Sequence, residues 1–163
     1  MNEAAGLKLR SAIRESEAHV KQLSRCMSLL REFFPLTPAS LAALGDERIE
    51  HIDQFIFRFS KLQDAMGLRL FPALYTLLEN DDSPRPFLDI LSRLESYGVI
   101  RDLSQWQFFR NLRNNFAHDY PESIGTTVSA LNSLYERWSD FEGIYGLARS
   151  FVESRQDLAG LVR

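Results

Sequence analysis

Residues 46–79 read DERIEHIDQFIFRFSKLQDAMGLRLFPALYTLLE, and their spacing decides the fold class. Ile49, Ile52, Ile56, Phe59, Met66 and Leu70 recur at intervals of three and four, with Gln63 filling one position of the same seam. Such a stripe covers one face of an α-helix, because side chains three and four apart lie one above the other. Gly67 and Pro72 are the places where this long segment bends or divides, since proline lacks an N–H and clashes with the preceding turn.

Working outward, the same periodicity recurs. Ile13, Val20, Leu23, Met27, Leu30 and Phe34 share one stripe, ended by Pro35. Thr37-Pro38 reads as an N-cap followed by proline at the first helical position, opening a short helix that stops near Gly45. Downstream, a helix beginning near Pro86 carries Phe87, Ile90, Leu91 and Leu94, with Gly98 at its exit. Ser104-Gln105-Trp106-Gln107 has the form of a capping box and predicts a helix over about 104–118, which Pro121 limits. Val128, Leu131, Tyr135, Trp138, Phe141, Tyr145, Ala148 and Val152 predict one last long helix, and the polar tail after about Ser154 is expected to fray. No period-two alternation and no Asn-Gly or Asp-Gly hairpin signal appears between apolar runs. The expected fold is all-α: an antiparallel four-helix up-and-down bundle with additional short helices, in one domain spanning 1–163.

Composition narrows the function. Apolar residues at 45% against 25% charged supply a core and argue against disorder. With 19 Lys and Arg against 22 Asp and Glu, the net charge of -3 excludes a general nucleic-acid coat and leaves room only for a local basic site. The single cysteine, Cys26, rules out an intrachain disulfide and a cysteine-rich zinc cluster; its apolar neighbours at helical spacing mark it as a small buried hydrophobe. His19 and His51 have no ligand company and read as surface, whereas Trp106, Trp138 and the phenylalanines read as core. No Gly-rich phosphate loop, zinc motif or nucleophile elbow is present, so no metal and no cofactor are expected. No apolar run approaches a membrane span, and Met1-Asn2-Glu3 lacks a signal-peptide pattern, so a cytoplasmic protein with no membrane partner is expected.

One stretch carries chemistry: Arg110-Asn111-Leu112-Arg113-Asn114-Asn115-Phe116-Ala117-His118-Asp119-Tyr120-Pro121. Asparagine is a mediocre helix former, so three of them late in a helix are a local cost that a site can justify. At 100° per residue, Arg110, Asn114 and His118 span about 80° and form one polar stripe, while Arg113 lies roughly 140° from His118. Arg113 therefore either curls around a helix end or faces the same cleft from a partner chain. Structural readings stand beside these: Arg110 and Arg113 as ion-pair partners, His118 as a helix C-terminal residue, Tyr120 as a packing aromatic. Asp53 borders the stripe of the second helix and reads as a helix-pairing or surface carboxylate or as a supporting site residue; Asp64 has no better claim.

Arg113-Asn114-Asn115-Phe116-Ala117-His118-Asp119-Tyr120 resembles the R-x-x-x-x-H-x-Y motif of the HEPN superfamily, specifically the HepT-type toxins, in which asparagine often follows the arginine. The stretches LESYGVI, before the motif helix, and Asp53 to Asp64 with Gly67 and Phe71 are similar too, so the resemblance covers about residues 46–152. It implies a metal-independent endoribonuclease acting as a homodimer, with two motif helices facing each other across a shared cleft. Arg113 and His118 would be catalytic. Asn114, one turn before His118, is the candidate to orient them; Arg110, from its place on the same polar stripe, and Asp53, from its place beside the stripe of the second helix, are further supporting candidates. The implied partners are an RNA substrate and a minimal nucleotidyltransferase (MNT) antitoxin, which in several such pairs transfers AMP to the motif tyrosine, here Tyr120.

The chemistry agrees with a dimer. Cleavage through the 2′-hydroxyl needs a base and an acid, histidine serves either role, and two-fold symmetry supplies a second His118. Arg113 stays cationic and braces phosphate oxygens as charge develops. The alternative is a non-catalytic module that uses the same helix to bind a nucleotidyltransferase.

Overall fold

Asn2 starts the first helix, its side-chain carbonyl accepting the Ala5 N–H at 3.0 Å. From there the computed structural model describes residues 2–118 and 123–161, with the backbone only for His118. Helix α1 (Glu3–Leu30) is followed by α2 (Pro38–Ala42), α3 (Asp46–Ala65), a π-helical turn (Met66–Leu70), α4 (Phe71–Glu79), α5 (Phe87–Ser96) and α6 (Leu103–His118). After it come α7 (Ile124–Glu136), α8 (Trp138–Ser154) and α9 (Gln156–Ala159). The chain is an all-α helical bundle, without strands among the described residues. None of the described helices is long and apolar enough to cross a membrane.

Helices α1 and α3 run antiparallel: Arg48 lies over the Phe33 ring, Arg58 reaches His19 at 3.3 Å and Arg69 pairs with Glu15 at 2.6 Å. Helix α6 runs antiparallel to α3 in turn, with Phe116 against Phe59, Arg113 against Asp64 and Trp106 against Gly67. Phe59 is the hub. Its fully buried ring meets Phe109, Phe116 and Phe141 at 6.4, 6.1 and 4.9 Å, tying α3, α6 and α8 together.

The expected bend in the long segment is the π turn. Phe71 donates its N–H to the Met66 carbonyl, five residues back. Pro72 has no N–H for the carbonyl of Leu68, and the wider turn absorbs that missing bond without ending the rod. Met66 and Leu70 stay buried across it, so the seam is unbroken. Gly67 faces the indole of Trp106, and a Cβ there would lie 3.1 Å from Trp106 Cζ2. Trp106 has no room to give, because Phe71 and Phe87 pack on it at 5.0 and 6.2 Å. Gly67→Ala is therefore expected to lower stability by about 1 kcal/mol, the overpacking outweighing alanine's helical advantage; urea denaturation checks the sign.

Elsewhere the structure departs from the periodicity. The last long helix is two, broken at Arg137 with φ -102° and ψ 13°. Leu131, Leu134, Trp138 and Phe141 are all buried, so the apolar phase crosses the break and periodicity alone joins what the backbone separates. Helix α6 begins at Leu103, and its first turn is capped from Asp102, which accepts from the Ser104 N–H at 2.8 Å and the Ser104 hydroxyl at 2.6 Å. The tail does not fray immediately: Leu158 is buried, and Arg10 donates to the Leu161 carbonyl at 2.8 Å. Phe57 is half exposed, flanked by Arg58 and Lys61 over its ring, unlike the core phenylalanines.

His19 is buried rather than at the surface, because the inward phase of α1 runs through Leu9, Ile13, Ser16, His19, Leu23, Cys26 and Leu30. Cys26 is buried as expected, and burial raises its thiol pKa. Burial, then Arg58, lower the His19 imidazole from its ordinary 6.5, against the opposing pull of Glu15. As pH falls below 6.5 the unfolded chain takes this proton first, so the native state loses stability down to the folded pKa. Denaturation midpoints at about pH 7.5 and pH 5.5 should fall further for the wild type than for His19→Gln; an equal fall would refute the assignment.

Candidate functional site

The buried face of α6, formed by Trp106, Phe109, Leu112 and Phe116, fixes the rotation of the helix. That rotation turns Arg110, Arg113 and Asn114 onto a groove of about 560 Å³ between α6, the π turn and the start of α5. The volume is that of a small-molecule site. Gly67, Leu68, Pro72, Phe87, Ile90 and Trp106 make its apolar surfaces, and Gln63, Asp64, Arg85, Arg110, Arg113 and Asn114 its polar ones.

Three guanidiniums face one carboxylate here. Arg113 donates to Asp64 at 3.1 Å, in a half-buried pair. Arg85 is held by Asp81 at 2.8 Å. Asp81 is lowered to about 2, first by hydrogen bonds from Ser83 and then by Arg85, and so stays ionised. Arg110 lies over the Phe87 ring, 5.7 Å from its centroid, and has no carboxylate partner among the described residues. The local balance is cationic although the chain is acidic, and arginine's fork of N–H donors suits phosphate oxygens.

Unsatisfied polar groups gather in the same walls. Arg113 Nε and Trp106 Nε1 are sealed from solvent without a partner among the described residues. Gln63 is 6% exposed, and its amide has no hydrogen bond among the described residues. Leaving a sealed group unmade costs about 1–3 kcal/mol, so the two sealed groups beside one groove call for an explanation.

Of the residues expected from sequence, Arg110, Arg113 and Asn114 meet at this groove. Arg113 does not need a partner chain to reach it. Measured from Arg110 and Asn114 rather than from His118, the three residues span an arc of about 100°, and Asp64 draws the arginine in. Asp53 is exposed on α3 and does not line the groove. The backbone of α6 continues to His118, one turn beyond Asn114. The His118 side chain and Tyr120 lie outside the described residues, so their expected roles are carried by the sequence. Gln63, Asp64, Arg85 and Phe87 are the additions. Gln63 carried a signal, being the one polar residue in the apolar seam of α3, whereas Asp64 is 49 residues from Arg113 and no local pattern links them. Among the described residues, no group of three or more His, Cys, Asp or Glu is placed to hold a metal ion.

Comparison of the chain with protein-family models, curated proteins and solved structures gives no match.

Proposed function

We propose that this protein is a HepT-like HEPN toxin: a metal-independent endoribonuclease with a composite active site at a homodimer interface, acting in the cytoplasm. The single observation that supports it most is the placement of Arg110, Arg113 and Asn114 together on a cationic groove, on a helix that runs on to His118. In this reading the two His118 side chains of a dimer act as base toward a 2′-hydroxyl and acid toward the leaving 5′-oxygen. Arg113, aimed by Asp64, braces the phosphate as negative charge builds, and Asn114 and Arg110 hold the strand. Asp53 joins the supporting set from its place at the edge of the α3 stripe.

The partner is a minimal nucleotidyltransferase antitoxin, which silences the toxin by placing AMP on Tyr120. An AMP added there would bring bulk and negative charge in place of the RNA phosphate. The test is incubation of single-stranded RNA with the purified protein in excess chelator, beside His118→Ala. Cleavage by the wild type alone supports the reading, and equal cleavage by both sinks it.

The second reading is a non-catalytic docking module for the nucleotidyltransferase. The net charge of -3 favours it, since a dedicated RNA binder is more often basic. Stable co-purification of the pair, with no RNA cleavage by either form, would select it.

A further inference from the structure

We propose that the groove is a pocket for a single nucleotide, its base edge read by Gln63 and its phosphate taken by Arg110. The inference rests on the ribonuclease reading only for where the nucleotide comes from, a position within an RNA strand, and its test involves no cleavage.

Three observations carry it. The first is Gln63. It sits in the apolar seam of α3, where a hydrophobic residue continues the stripe, and it lines the groove with almost no exposed surface. Unlike Arg113 Nε and Trp106 Nε1, its amide is not sealed from solvent, and the residue lines the groove. A primary amide offers an acceptor beside two donors, the pattern that pairs bidentately with a base edge. An accessible amide without a partner among the described residues, on a largely buried residue of the cavity wall, matches a ligand that supplies both bonds.

The second is the pair of Arg110 and Phe87. The Arg110 guanidinium, 5.7 Å from the Phe87 ring centroid, sets a cation beside an aromatic ring, and either can stack on a base whatever its identity. Arg110 is not drawn away by a carboxylate among the described residues, so its N–H edge is left for a phosphate. The third is size and character. At about 560 Å³, with apolar walls from Pro72, Ile90 and Trp106, the groove is larger than a bare phosphate needs. Apolar and polar residues share its lining equally, which suits a ligand with both a planar ring and a charged group.

Calorimetric titration with AMP, GMP, CMP and UMP, and with ribose 5-phosphate and inorganic phosphate, separates base from phosphate. At least one mononucleotide should bind tenfold or more tightly than ribose 5-phosphate. Gln63→Leu should bring that mononucleotide to within about twofold of ribose 5-phosphate, because only the base edge loses its partner. Arg110→Gln should weaken both ligands by a similar factor. The melting temperature of Gln63→Leu should equal or exceed that of the wild type, since leucine fits the seam, which separates lost binding from lost folding. An uncleavable 2′-O-methyl hexanucleotide identifies the source. Binding at least as tight as the mononucleotide assigns the pocket to a strand, and loss of binding assigns it to a free nucleotide. Equal affinity for mononucleotide and ribose 5-phosphate, or full base-dependent binding by Gln63→Leu, would overturn the pocket. A protein that binds the base but leaves RNA uncut would overturn the ribonuclease reading alone.

Discussion

His118→Ala is expected to slow RNA cleavage by about 10²–10⁴-fold, the contribution of a positioned general acid or base. In a two-fold dimer the loss sits at the upper end, because one substitution removes both the acid and the base. Arg113→Ala should fall in a comparable range by removing the charge that meets the transition state, about 10²–10³-fold if the effect matches that of a lost oxyanion donor. The arginine variant carries a second consequence. Asp64 would be left half-buried beside the groove without its cation, next to the phosphate it formerly helped to place. Arg113→Lys separates these effects, since lysine restores a charge for Asp64 but not the planar fork. It should recover binding more fully than turnover. Rates measured with saturating RNA, beside affinities measured with uncleavable RNA, distinguish the two.

The second large effect is structural. Phe59→Ala is expected to cost about 3–5 kcal/mol, the usual range for removing a buried phenyl ring. Its ring touches Phe109 and Phe116 on α6 and Phe141 on α8, so the cavity would open where three helices meet. Domains of this size are stable by about 5–15 kcal/mol, so the variant would sit close to unfolding at ordinary temperatures. The site should suffer before the fold is lost, because Phe109 and Phe116 belong to the face that sets the rotation of α6. Phe59→Leu, which keeps most of the volume, should cost less than half as much. Urea midpoints for the two variants check the ratio, and equal losses would contradict the role given to the ring cluster.

The helical class was legible because apolar spacing of three and four runs through nearly every segment, and Pro35, Pro86 and Gly98 mark several of the boundaries. The division between α7 and α8 was not, since Trp138 and Phe141 continue the phase of Leu131 and Leu134 across Arg137. A sequence pattern records which residues are buried, and a break that preserves phase leaves no trace in it. His19 misled for a related reason: its lack of ligand company suggested the surface, while its position on the α1 seam buries it between Glu15 and Arg58.

At the site, Arg110, Arg113 and Asn114 could be read from one local stretch. Asp64, Arg85 and Phe87 could not, because their proximity to α6 is produced by the antiparallel pairing of α3 with α6 and by the approach of α5. Gln63 stood between these cases. As a polar interruption of an apolar stripe it was visible, but only the groove beside it gives that interruption a purpose.

How RNA is cut tests the ribonuclease reading most directly. Single-stranded RNA should be incubated with the purified protein in excess chelator, and the new ends identified. Cleavage by the wild type that leaves 2′,3′-cyclic phosphates, is absent with His118→Ala and spares a 2′-deoxy substrate is the predicted result. No cleavage, cleavage unchanged by the substitution, or cutting of the 2′-deoxy strand would contradict it.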